Sequence, residues 1–255
     1  MRYLVHSAFK GSNFSGWQTQ ANAISVQQTI ETALSNVLGE KTLIHGCGRT
    51  DAGVHASQYF FHFNSRQTLS KDFIYILNKN LPEDISLFDY VEVDPAFNAQ
   101  LTAFEREYKY YVHTHKNAFL SDLSTLITET LDTIKMEQAC LLVPACKDFE
   151  GFTITPDRQD NTLCKVRSIS LIVNMDKDQL CFTIHADRFI RGMVRMLVGN
   201  ILEIGKGKLS LEDFKSVLHL KKPLKFTNLA YPQGLYLSSV KYPDMEFPVK
   251  GKMPF

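Results

Sequence analysis

Between residues 25 and 39 the apolar positions recur at helical spacing. Val26, Ile30, Ala33, Leu34, Val37 and Leu38 share one face, and polar residues fill the other. Ser25 stands where an N-cap oxygen is needed, Gln28 follows at capping-box spacing, and Gly39 supplies the residue that stops a helix. Other stretches are short, β-branched and aromatic, and predict strands at 2–8, 42–47, 57–63, 85–93, 107–115 and 234–240. Residues 164–174 and 179–185 predict a hairpin, and further helices are predicted at 70–79, around 135–142, over 189–204 and at 211–218. Helices interleaved with hairpins point to an α+β sheet with helices on one side, not to a doubly wound parallel fold.

Three places in this pattern carry groups suited to chemistry. The loop Gly48-Arg49-Thr50-Asp51-Ala52-Gly53-Val54-His55 lies between two apolar strands. Glycines bracketing Asp51 permit backbone conformations and close approach that place a carboxylate at the bottom of a cleft. An Asx turn with Asp51 paired to Arg49 accounts for the same residues. In the helix predicted over 189–204, Arg188, Arg191 and Arg195 fall within an arc of roughly 60°, opposite Phe189, Met193, Val194, Leu197 and Ile201. A solvated basic face explains these arginines but not Gly192 and Gly199 beside them. Each glycine costs a helix interior about 1 kcal/mol relative to Ala, which makes sense if the active-site loop or a substrate backbone packs there. Third, Arg106-Glu107-Tyr108-Lys109-Tyr110-Tyr111 puts Tyr108 and Tyr110 on one strand face. An aromatic beside a cation suits stacking on a nucleobase, although half-buried sheet tyrosines give the same pattern.

Composition narrows the class without naming an activity. With 255 residues, 44% hydrophobic and 22% charged, the chain is an ordinary globular one, which excludes disordered, collagenous and disulfide-scaffold classes. No apolar run reaches the ~20 residues of a membrane span, and residues 1–9 lack the apolar region of a signal peptide, so a cytoplasmic location is expected. The five cysteines show no CxxC spacing and read as reduced thiols. His113 and His115 have the spacing of some metal ligands, but no cluster completes a site. There is no Walker A loop, GxGxxG or Gly-x-Ser-x-Gly either, so neither metal nor cofactor is expected. The formal net charge of +1 hides an asymmetry: residues 186–255 hold 12 Lys and Arg against 6 Asp and Glu, and residues 1–185 hold 16 against 21. A basic face on an acidic body suits a nucleic-acid partner.

Gly48-Arg49-Thr50-Asp51-Ala52-Gly53-Val54-His55-Ala56 resembles the catalytic motif of the tRNA pseudouridine synthase A family. Four more blocks resemble that family in its order: Phe14-Ser15-Gly16-Trp17-Gln18-Thr19-Gln20, Arg106-Glu107-Tyr108-Lys109-Tyr110, Met193-Val194-Arg195 with Val198-Gly199, and Gln233-Gly234-Leu235-Tyr236-Leu237. Together they span essentially the whole chain. The resemblance implies two α+β halves, 1–103 and 104–255, sharing an extended, mostly antiparallel sheet with a central active-site cleft. It implies a homodimer that isomerises uridine to pseudouridine in the anticodon stem-loop of tRNA, at positions 38 to 40, without a cofactor. By the same resemblance Asp51 is the catalytic carboxylate, Tyr108 stacks on the extruded uracil, and Arg195 orients Asp51. Arg49 contacts phosphate or holds the flipped nucleotide, and Arg188, Arg191, Lys206 and Lys208, with Lys221, Lys222 and Lys225, form a phosphate track. Gln100, Arg191, Gly192, Met196 and the segment Asp148-Phe149-Glu150-Gly151-Phe152 depart from the family's usual residues. They lie among positions expected to touch RNA, which implies a shifted or narrowed choice of uridine. The competing expectation is a protein of the same fold that binds or folds tRNA without turnover. Loss of Asp51, Tyr108 or Arg195 would favour it, and all three are present.

Overall fold

The computed structural model describes residues 1–155, 161–220 and 228–251. In chain order the elements are β1 (Arg2–Phe9), α1 (Val26–Leu38), β2 (Ile44–Gly46), β3 (His55–Asn64), α2 (Phe73–Lys79), β4 (Ile85–Val93), β5 (Glu105–His113), β6 (Thr125–Leu126), α3 (Thr133–Leu142), β7 (Val166–Val173), β8 (Gln179–Ala186), α4 (Met193–Gly205), α5 (Leu211–Leu220) and β9 (Leu235–Lys241), with single 3₁₀ turns between some of them. The fold is α+β and its strand pairs are mostly antiparallel, as the interleaved pattern predicts; β3–β9 and β5–β6 are the parallel exceptions among the described residues. The chain forms two compact units, Met1–Phe104 with Tyr236–Phe255, and Glu105–Leu235. No helix among the described residues is long and apolar enough to cross a membrane.

In the first unit β4, β1 and β3 form an antiparallel order, and β2 and β9 take successive lengths of the far side of β3. Strand β3 is therefore paired along both edges, and because its residues 55–63 are buried whichever face they point to, its buried run is continuous instead of alternating. Tyr59, Phe60, Phe61 and Phe63 are all within 1% of complete burial. Phe9 and Trp17 pack around Tyr59, while His6, Tyr242 and Phe247 pack around Phe60. Helix α1 is the element that local chemistry specifies most completely. Ser25 Oγ accepts from Gln28 N at 3.2 Å, Gly39 closes the helix with φ 70°, and Val26, Ile30, Ala33, Leu34 and Leu38 are buried.

His62 sits on β3 in this core and is 2% exposed. Its Nδ1 accepts the Ala99 amide at 3.1 Å, which requires the ring nitrogen to be unprotonated. Burial, with Arg2 and His45 adding to it, pulls the imidazole from 6.5 down to about 4. Between those two values the unfolded chain binds the proton and the folded chain does not, so stability falls as pH drops through this window. His62 is expected to contribute its full share above pH ~6.5 and to have cost the fold about 3 kcal/mol by pH 4. Urea denaturation at pH 7, 5.5 and 4 checks this, and His62→Gln should flatten that part of the profile.

In the second unit β5 and β7 flank β8 in an antiparallel arrangement. The two-residue β6 joins β5 in parallel; it has no counterpart among the predicted strands. Helix α3 packs on α4 and β7. Helix α4 corrects the sequence reading in two ways. It begins at Met193, not residue 189, because Gly192 is its N-cap with φ 77°. Arg188 and Arg191 consequently precede the helix, and no arginine stripe exists. Met193, Val194, Met196, Leu197, Val198, Gly199, Asn200, Ile201, Leu202, Ile204 and Gly205 are all buried, so α4 is a core helix with Arg195 in its first turn. The five cysteines are free; four are buried and Cys181 is half-buried, and burial pushes the Cys140 and Cys164 thiols up to about 12 and about 11.

Candidate active site

The Asp51 loop connects β2 to β3, and main-chain contacts fix its shape. Cys47 N donates to Phe60 O at 2.8 Å, Tyr59 Oη donates to Gly48 O, and Val54 N donates to Asp51 O at 3.2 Å. A second loop, residues 11–18, docks along it. Trp17 N donates to Thr50 O at 3.1 Å and Gly53 N to Phe14 O at 3.3 Å. Gly16 has φ 92°, and a Cβ there would lie 2.5 Å from Thr50 O. Of the two glycines read as bracketing Asp51, Gly53 has the left-handed conformation (φ 76°). Gly48 does not, and a Cβ on it would meet nothing within 4 Å. The close approach that the sequence suggested is real, but Gly16 and Gly11, whose Cβ would strike Val54 O, make it. The result is a half-buried Asp51 side chain on a loop braced from both sides. Arg49 has no hydrogen bond or ion pair among the described residues, so the Arg49–Asp51 pairing of the Asx-turn reading is not formed.

The second unit holds Tyr108 and Arg195. Tyr108 lies half-exposed on β5, with its ring edge-on to Phe189 at 5.0 Å and 84°. Phe189 thus supports a tyrosine instead of lining a helix face. Arg195 is clamped by the segment that leads into β9. Ala230 N donates to Arg195 O at 3.0 Å, and Arg195 Nε donates to Ala230 O at 2.7 Å. The segment itself is pinned twice: Tyr110 Oη donates to Tyr231 O at 2.9 Å, and Asn228 Nδ2 donates to the buried Asn200 Oδ1 at 3.2 Å. Gly199 has the close neighbour its mid-helix position implies, yet the neighbour is this segment and not the Asp51 loop. A Cβ there would fall 2.9 Å from Asn228 C and 3.0 Å from Ala230 N.

Residues 146–243 match the family model described as tRNA pseudouridine synthase. A tRNA pseudouridine synthase A of Parabacteroides distasonis is 36% identical over 252 residues, covering 98% of this chain and 99% of the relative. One of Bacteroides fragilis is 38% identical over 248 residues, with 96% and 98% covered. The chain belongs to the tRNA pseudouridine synthase A family. A Staphylococcus aureus tRNA pseudouridine synthase A is 35% identical over 251 residues, with 96% of this chain and 92% of the relative covered.

Several residues expected to touch RNA in this family member do not face solvent. Met196 is 5% exposed, and Phe149 and Phe152, at 0% and 1%, pack with Phe214 in the core of the second unit. Their departures from the family's usual residues are packing changes, so they bear on the core and not on RNA contact. Gln100 is exposed, in a turn held by Asn98 Oδ1 accepting from the Gln100 and Leu101 amides. Among the basic residues, Lys206 spends its charge internally, 3.1 Å from Glu203 and 3.4 Å from Glu129, with its side chain 12% exposed. Lys208 is open at 59%, although Glu129 lies 3.6 Å away. Arg188 reaches Asn161 at 3.2 Å, and Arg191 is exposed ahead of α4, its carbonyl accepting from Thr153 Oγ1 at 2.8 Å. Lys221, Lys222 and Lys225 lie outside the described residues.

Proposed function

We propose that this protein isomerises uridine to pseudouridine in the anticodon stem-loop of tRNA, at positions 38 to 40, with Asp51 as the catalytic carboxylate. What supports the reading most is Asp51 itself, held half-buried on a doubly braced loop in a chain aligned end to end with tRNA pseudouridine synthases. The reaction breaks the C1′–N1 bond, turns the uracil and joins C1′ to C5; the C5 proton leaves and N1 gains one, so no redox partner is needed. Asp51 serves the sugar or the base, as nucleophile or as proton acceptor. Tyr108, steadied by Phe189, stacks on the extruded uracil, and Arg195, held by the Ala230 carbonyl, orients the carboxylate. Arg49, Arg188, Arg191 and Lys208 contact phosphates, with a smaller share for Lys206 because two glutamates already neutralise it. The protein acts in the cytoplasm as a homodimer.

Pseudouridine mapping of unmodified tRNA transcripts incubated with the protein tests the reading. The expected result is pseudouridine in the anticodon arm and nowhere else. Binding of every transcript with conversion of none would instead identify a tRNA-binding or tRNA-folding protein.

A further inference from the structure

Beside the Asp51 loop the first unit has a polar cleft of about 160 Å³, lined by Gln18, His45, Arg49, Asn98 and Gln100 together with β2. At roughly 30 Å³ per water it has room for about five waters, the scale of one flat heterocycle. Three of its side chains are left over by the fold. The Arg49 guanidinium, the Gln18 amide and both His45 ring nitrogens have no hydrogen-bond or ion-pair partner among the described residues. All three are exposed, and Arg49 is two residues from Asp51.

The His45 ring is nonetheless fixed in place. It stacks on the buried His62 at 5.1 Å and 23°, across the antiparallel register of β2 and β3. His62 is held in turn by the Ala99 amide, which immediately precedes Gln100, another residue lining the cleft. An exposed imidazole backed by a buried one offers a stacking face at little ordering cost. A guanidinium suits the phosphate of whatever stacks there, and amides suit the edge of a base.

We propose that this cleft binds one unpaired nucleotide flanking the target uridine, with the base on His45, its edge against Gln18 and Gln100, and its phosphate on Arg49. The inference rests on the tRNA-modifying reading and makes His45 a specificity-determining residue of it. A site two residues from Asp51 is placed to hold the neighbour of a flipped nucleotide, because flipping breaks that neighbour's own stacking and the protein must replace it.

The test uses the full chain and tRNA transcripts made abasic, one at a time, at the two nucleotides on either side of the modified uridine. Both affinity and pseudouridine formation are measured, for wild type, His45→Ala and His45→Phe. His45→Ala should weaken binding of intact transcript about tenfold with kcat nearly unchanged, and His45→Phe should restore most of it. One abasic position should weaken wild type and leave His45→Ala indifferent. Wild-type affinity for His45→Ala, or equal abasic losses in both proteins at every position, would overturn the proposal. A chain that binds but forms no pseudouridine would defeat the enzymatic reading, while the affinities would still decide the role of the cleft.

Discussion

Asp51→Asn is expected to lower pseudouridine formation at least ~10³-fold while leaving tRNA affinity close to wild type. Asn keeps the size of the side chain and removes the group that can attack a carbon or take a proton. The loop that carries it should survive, because its braces are main-chain bonds: Trp17 N to Thr50 O, Gly53 N to Phe14 O and Val54 N to Asp51 O. Single-turnover assays on a transcript, with binding measured alongside, separate chemistry from recognition. Asp51→Glu sharpens the test, since it restores the charge but moves it by about one bond length, and displacement of ~1 Å from a productive geometry costs on the order of 10²-fold. Asp51→Asn retaining a tenth of wild-type activity would remove this carboxylate from the chemistry.

Gly199→Ala is expected to destabilise the second unit by about 3 kcal/mol, the upper part of the range for overpacking a close-packed site. The sign is informative. Helix propensity alone predicts that alanine in the middle of α4 gains about 1 kcal/mol. The added methyl would instead press on Asn228 C and Ala230 N, main-chain atoms that cannot swing aside. They move only if the pairing of Ala230 with Arg195 and of Asn228 with Asn200 loosens. The thermal midpoint should fall by roughly 6–12 °C, and kcat should fall further than affinity at temperatures where the variant is still folded, because the clamp orients Arg195. A midpoint at or above wild type would mean that the segment has slack the geometry does not show.

Legibility along this chain followed the range of the interactions. Helix α1 could be read in full because its cap, its stop and its apolar face all lie within fifteen consecutive residues. Strand β4 matches its predicted bounds, 85–93, for the same reason. The start of α4 was misread because periodicity is blind to φ: Phe189 and Arg191 continue the pattern through a glycine whose left-handed backbone ends it. Gly199 was legible as an anomaly, but its neighbour lies some thirty residues downstream, where no local pattern points. Asp51 stood out by its loop and by resemblance, whereas the bracing by Gly11, Gly16 and Trp17 joins segments more than thirty residues apart. Strand β6 has two residues and no local signature at all.

The place of β9 has a consequence for how this protein is made. Val240 N donates to Gln58 Oε1 across 182 residues, and Gln58 Nε2 donates to Phe247 O across 189. The first unit therefore cannot finish its sheet until residue 236 and beyond have left the ribosome, whereas residues 105–235 are contiguous and complete earlier. At roughly 5–20 residues per second, β3 waits on the order of ten seconds or more with part of its far edge open. The unit begun first is the one completed last, and the loop bearing Asp51, which enters β3 where β9 later pairs, takes its final support only as synthesis of these residues ends.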